Sequence, residues 1–239
     1  MKELSVAIIG SGNVAAFLAR SFHSKGVRIE RIISRNSEKG KALAAETNSL
    51  WSNDLTFFGA PENIIISAVK DSAAAEVWSK AVFKNHLVLH TAGTLSLSDL
   101  QPYTSHCGVL YPLQSITASR APGSFTVPFL IEADTPENLE KVRLLACLIS
   151  EKVSVADSAV RGKLHLAAVF ANNFSNLCFR IAWEMLEQQQ LEPELLLPLI
   201  EGLDLVQVQE YPVGGQEGVQ LGDDLLDVRC GGGGGIELI

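Results

Sequence analysis

A glycine-rich turn between an apolar strand and a helix restricts this chain more than any other feature. Gly10-Ser11-Gly12-Asn13-Val14-Ala15 follows the apolar run Ser5–Ile9 and opens a stretch, Asn13–Ser24, with Val14, Phe17, Leu18 and Phe22 at helical spacing. The first glycine permits the tight turn, and the second lets a pyrophosphate approach the backbone. The small third residue, Ala15, allows helix and strand to pack closely. The helix start adds amide donors and the positive end of its dipole. At the first strand–helix junction this G-x-G-x-x-A predicts a dinucleotide phosphate loop formed by Gly10, Ser11, Gly12, Asn13 and Val14.

The rest of the first half repeats the alternation. Arg28–Ser34 reads as a second strand, and Ser37–Thr47 is rich in Ala, Lys and Glu and helical. Asn63–Val69 and His86–Thr91 are further buried strands with a helix, Ser72–Phe83, between them. Pro128–Glu132, Thr135–Ser150 and Lys152–Val155 continue as strand, helix, strand. Thr135-Pro136-Glu137 is a strong helix start: a hydroxyl cap, proline at the first helical position, and an acid near the positive dipole end. Strands separated by helices of this length predict an α/β fold, a Rossmann-type parallel sheet with helices on both faces.

The end of the second strand chooses between cofactors. An NAD site places an acid there to accept the ribose 2′-hydroxyl. Here Ser34-Arg35-Asn36 stands in its place, and a hydroxyl and a guanidinium suit a 2′-phosphate. NADP is the expected cofactor. Ligands of open α/β sheets lie at the carboxyl ends of the strands. Ala68-Val69-Lys70-Asp71 and His90-Thr91-Ala92-Gly93-Thr94 are therefore further cofactor candidates, while Tyr111-Pro112-Leu113-Gln114 is a candidate rim.

From Asp157 to about Gln190 there is no Pro and one Gly, which predicts a single long helix and a domain boundary near residue 156. A second helix is expected from about Glu192 to Glu201, with Pro198 either tolerated or kinking it. At 100° per residue Arg161, His165, Asn172 and Asn176 share one face of the long helix, bordered by Asn173. Such a polar stripe is costly to bury unless hydrogen-bonded, so it lines a cleft or lies in a satisfied helix–helix interface. His165 is the candidate proton donor, because imidazole titrates near neutrality. Asn172 or Asn173 would orient a substrate, and Lys70 is the alternative donor. The apolar face with Leu166, Val169, Phe170 and Leu177 exceeds what one short helix covers, which predicts a homodimer through this region.

Taken as an ordered set, GSGNVA, SRN, AVKD, HTAG, YPLQS and KLHLAAVFANNFSN resemble the Rossmann-like proteins that carry the C-terminal domain of unknown function 2520. These are relatives of pyrroline-5-carboxylate reductase, the deazaflavin-linked NADP oxidoreductases and the β-hydroxyacid dehydrogenases. The resemblance spans about residues 4–202. It implies an NADP-binding domain, an all-helical dimerising domain, and an oxidoreductase that transfers hydride between NADPH and a small carbonyl or imine compound. A non-catalytic NADP(H)-binding or redox-sensing protein is the alternative. Relatives often carry His before Pro-Leu where this chain has Tyr111, so the resemblance gives Tyr111 no role.

Composition sets the remaining expectations. The 239 residues are 47% hydrophobic and carry a net charge of −8, which argues against nucleic-acid binding. No run approaches the length of about 18 apolar residues that a membrane span needs, and the start of the chain has no apolar leader. The four cysteines, Cys107, Cys147, Cys178 and Cys230, have no metal spacing and read as reduced thiols of a cytoplasmic protein. No metal site is expected. The expected division is 1–156, a dinucleotide-binding domain, 157–202, a truncated helical domain, and 203–239, an atypical tail. Ten of the 19 glycines and six of the eight net negative charges fall after Glu201. That composition predicts an out-of-frame or otherwise aberrant ending.

Overall fold

Alternate residues of the central strands point to opposite faces, and both faces are apolar. The computed structural model of the protein describes residues 5–56, 58, 64–117, 126–201 and 226–228. Nine strands are present among them: β1 (Ser5–Ile9), β2 (Arg28–Ile33), β3 (Leu50–Ser52), β4 (Ile64–Ser67), β5 (Leu87–His90), β6 (Cys107–Pro112), β7 (Phe129–Ala133), β8 (Val153–Val155) and β9 (Leu226–Val228). They form one sheet in the order β3-β2-β1-β4-β5-β6-β7-β8-β9. The first six strands are parallel to one another.

Val6, Ile8, Ile64, Ile66 and Leu89 pack on one face against Phe17, Leu18 and Phe22 of α1 (Asn13–Ser24), Leu43 of α2 (Ser37–Glu46) and Val142 and Leu145 of α5 (Pro136–Cys147). Ala7, Ile9, Ile65 and Val88 pack on the other face against Ala74 and Trp78 of α3 (Asp71–Lys80) and Leu100 of α4 (Leu97–Leu100). The expected two-sided cover is present, and so is the Thr135 cap: its side chain accepts from the Asn138 amide at 3.2 Å, with Pro136 behind it.

Two features depart from the sequence pattern. β7 runs antiparallel to β6, with Leu110 opposite Ile131, and β9 runs antiparallel to β8. Buried strands are apolar throughout in either direction, so composition does not report the sense of pairing. The expectation of four reduced thiols also needs correction. Cys107 and Cys178 are free, but Cys147, at the end of α5, is disulfide-bonded. Spacing along the chain does not report proximity in the fold.

The helical run is α6 (Ser158–Ala168), a π-helical segment (Val169–Phe174) and α7 (Ser175–Gln188), followed by a 3₁₀ turn (Pro193–Leu196) and α8 (Leu197–Glu201). Pro198 is the second residue of α8, where its missing amide has no intrahelical acceptor to lose. The chain divides into two units, the first ending at His165 and including β9, the second starting at Leu166. The division falls later than residue 156 because the first turns of α6 pack on the sheet: Val160 and Leu164 lie against Val109, Tyr111, Leu130 and Ala156. Of the tail, only β9 belongs to the described residues. The expectation of an aberrant ending otherwise lies outside them.

Candidate active site

The β1–α1 turn is shaped by its glycines. Gly10 adopts φ +128°, and a Cβ there would stand 2.4 Å from the Ala68 carbonyl oxygen at the end of β4. Gly12 is exposed, and a Cβ there would meet nothing within 4 Å. It caps α1 with no side-chain hydrogen bond. The first-turn amides of α1 are therefore presented to an open space that an anion fits. Asn13 is turned aside, donating its side-chain amide to the Ile116 carbonyl at 3.1 Å.

At the end of β2 the three expected residues divide their tasks. Ser34 is buried; its hydroxyl donates to the Asn36 carbonyl at 2.9 Å and accepts from the Trp51 indole at 3.2 Å. The Asn36 side chain caps α2 by accepting from the Lys39 amide at 2.9 Å. Arg35 alone holds its charge out in solvent, at the start of α2. Gly40 is required here, since a Cβ would stand 2.2 Å from the Ser34 hydroxyl oxygen. Trp51, over which the Lys41 ammonium lies at 5.0 Å, escaped the sequence reading because its strand is three residues long. With no acid at this position and a cation beside the helix start, the residues present fit NADP.

The next two strand ends differ in character. Lys70 is exposed at the N-cap of α3, and Asp71 receives a hydrogen bond from Thr94, which ties the loops after β4 and β5 together. His90, by contrast, is 1% exposed and lies against Trp78. Its Nδ1 accepts from the Ala92 amide at 3.2 Å. Burial, with the nearby Arg161 charge, pushes its pKa down to about 4, so the ring is neutral at pH 7. A cavity of about 300 Å³ opens between α3 and α4, lined by Asp71, Trp78, Asp99 and Tyr103. It lies on the sheet face opposite α1.

The sequence reading did not anticipate the group around Gly93. Tyr111, at the end of β6, places its hydroxyl 2.8 Å from His165 Nδ1, and the two rings meet edge to face at 74°. Both crowd Gly93, where a Cβ would stand 2.5 Å from His165 Nδ1 and 3.0 Å from Tyr111 Cζ. Burial, then the Asp71 charge, raises the Tyr111 pKa against the lowering effect of Arg161, so the phenol keeps its proton.

Arg161, one turn before His165, is fully buried and does not face solvent. Its guanidinium donates to Glu132 at 2.5 Å and to the Leu95 carbonyl at 2.6 Å. Ser158 bridges to Glu132 at 2.9 Å and accepts from the Leu97 amide at 3.0 Å. These bonds fix the first turn of α6 to β7 and to the loop that follows Gly93. In the second unit Asn172 donates to Asn173 at 3.1 Å, and Asn176 donates to Asn172 at 3.3 Å. The single-face arithmetic does not extend to them from His165, because the intervening π segment changes the helical period. Among the described residues no three His, Cys, Asp or Glu side chains form a metal site, and no helix is long and apolar enough to cross a membrane.

Strand order, glycine turn and β2 terminus are those of a Rossmann-class dinucleotide-binding protein. Residues 5–93 match the family described as NADP oxidoreductase, coenzyme F420-dependent, and residues 127–210 match the domain of unknown function DUF2520. Among solved structures the chain is similar to BF3122 of Bacteroides fragilis, an assigned NADP oxidoreductase. The two share 33% identity over 88% of this chain and 82% of that one, with a TM-score of 0.78. It therefore belongs to the NADP oxidoreductase family of BF3122, and NADP is the cofactor of that family. The fold is shared more distantly with 1-pyrroline-5-carboxylate reductase of Streptococcus pyogenes, at 14% identity over 89% and 81% of the two chains and TM-score 0.64. It is shared equally with a reductive aminase of Aspergillus terreus, at 17% identity over 87% and 74% and TM-score 0.64. No curated protein sequence matches the chain.

Proposed function

We propose that this protein reduces a small carbonyl or imine compound, with His165 as the proton donor. The observation that carries the reading is the seat of His165. Its imidazole rests on Gly93 at the carboxyl end of β5, on the sheet edge where such folds place their ligands. Gly10, Ser11, Gly12, Asn13 and Val14 cradle the cofactor phosphates. The backbone at Ser34 and Asn36, with the Arg35 side chain, receives the 2′-phosphate. Ala68, Val69, Lys70, His90, Thr91, Ala92 and Gly93 form the floor toward the nicotinamide. Bound NADPH supplies hydride to the substrate carbon, and His165 gives its proton to the oxygen or nitrogen that gains charge. Lys70 is the second candidate donor. The A. terreus neighbour, a reductive aminase in complex with NADPH and ethyl-5-oxohexanoate, supports the carbonyl and imine classes.

The second unit supports a homodimer. Leu166, Phe170, Phe174, Leu177, Ile181 and Met185 are 39–62% exposed along its helical run, a stripe that a second copy would cover.

The test follows NADPH absorbance with aldehydes, ketones, cyclic imines and ketone–amine mixtures. Turnover by the native protein is expected on at least one. His165→Ala should lower it by the roughly 10²–10⁴-fold that a positioned acid contributes, with NADPH affinity unchanged. An unchanged rate removes His165 from the chemistry. NADPH binding without turnover on any class leaves a non-catalytic NADP(H)-binding protein.

A further inference from the structure

We propose that Tyr111 is a positioning residue for His165: its hydroxyl engages Nδ1 in both charge states of the ring, leaving Nε2 as the only nitrogen that exchanges a proton. The inference rests on the reading of His165 as proton donor, and on a geometry that reading does not require.

A proton donor must pass between an imidazolium, whose two nitrogens both donate, and a neutral ring, one of whose nitrogens accepts. A partner that only accepts, such as a carboxylate, favours the charged ring, and an ammonium favours the neutral one. A neutral phenol oxygen accepts from Nδ1–H in both states without either bias, and Tyr111 offers it at 2.8 Å. Burial holds that phenol protonated, with Asp71 raising its pKa further and Arg161 opposing, so the accepting oxygen carries no charge. Ring orientation is fixed from two sides, by the edge-to-face contact with Tyr111 and by the backbone of Gly93, which leaves no room for a Cβ. The Arg161–Glu132 pair anchors the helix one turn earlier.

The proton step balances without another reactant. As hydride adds to the substrate carbon, the Nε2–H bond of the imidazolium breaks and the proton bonds to the substrate oxygen or nitrogen. The electron pair stays on Nε2, and the remaining ring proton on Nδ1 is donated to the Tyr111 oxygen. One proton taken up from solvent per turnover then restores the imidazolium at Nε2.

The test pairs spectroscopy with kinetics. ¹⁵N spectra of histidine-labelled protein should show neutral His165 as one tautomer, and Tyr111→Phe should return it to the mixture of a free imidazole. With a cyclic imine or cyclic ketone as probe, Tyr111→Phe is expected to lower kcat about ten-fold or more while KM stays within about two-fold. In the His165→Ala background Tyr111→Phe should change nothing further, since coupled residues are not additive. Identical ¹⁵N spectra of native protein and Tyr111→Phe would overturn the proposal, as would additive losses. If the variant does not fold, 3,5-difluorotyrosine incorporated in its place acidifies the phenol and should move the Nδ1 resonance. No movement would overturn it equally. Should His165→Ala keep full activity, the proton-donor reading fails by itself, while the spectra still decide the Tyr111–His165 coupling.

Discussion

The sheet unit and the helical unit obey the same packing rules and end in opposite states. In the sheet unit the centres of β1 and β4 are 0–3% exposed, and helices lie on both faces. In the second unit no residue of α7 is buried, and its large apolar side chains face outward. A parallel sheet satisfies its apolar faces within one chain because each crossover returns a helix to it. Among the described residues the run Ser175–Gln188 has no such cover, the observation behind the proposed contact with a second copy. The lesson is that apolar periodicity alone does not say where a stripe ends up: in the sheet unit it is buried, and along α7 it is exposed.

The sharpest way to break the contrast is to attack the interior of the sheet unit. Glu132→Ala leaves the fully buried Arg161 without its carboxylate, which should cost about 3–5 kcal/mol in urea unfolding. A loss below about 1 kcal/mol would mean that the pair is not holding α6.

His90 gives the next effect, of about 3 kcal/mol at most. Its folded pKa lies at about 4, below the ordinary 6.5. Above pH 6.5 both states leave it neutral, so it has no effect. Between 6.5 and 4 the unfolded chain takes up a proton that the native ring refuses, and stability falls with pH. His90→Gln should remove that component from the acid limb of melting curves recorded between pH 7 and 4.5. Superimposable limbs would contradict the buried, neutral ring.

The second unit should respond in the opposite way. Phe170→Glu with Phe174→Glu is expected to leave the sheet unit's unfolding within about 0.5 kcal/mol, because neither side chain is buried. Light scattering should meanwhile fall from twice the chain mass to one. A native protein that is already monomeric would break the comparison.

The same contrast explains what the sequence discloses. α1 begins and ends where its periodicity predicts, at Asn13 and Ser24, because glycine turn, cap position and apolar spacing are all local. Thr135 is legible for the same reason. The antiparallel β7, the three-residue β3 and the π segment are not, since VFANNF has ordinary helical composition and three residues show no period. The site divides likewise. Its phosphate turn is contiguous, whereas Tyr111 and His165 are 54 residues apart and Glu132 and Arg161 are 29 apart. His165 was marked by its helical face, but nothing short of the fold joins it to Tyr111.

The central claim is that the sheet unit is an NADP site read by Arg35 and the acid-free end of β2. Calorimetric titration of NADPH and NADH into the native protein and Arg35→Ala tests it most directly. NADPH should bind about ten-fold or more tightly than NADH, and Arg35→Ala should narrow the gap by the roughly 1.5–3 kcal/mol of a charged hydrogen bond. Equal affinities in the native protein, or a gap untouched by Arg35→Ala, would contradict it.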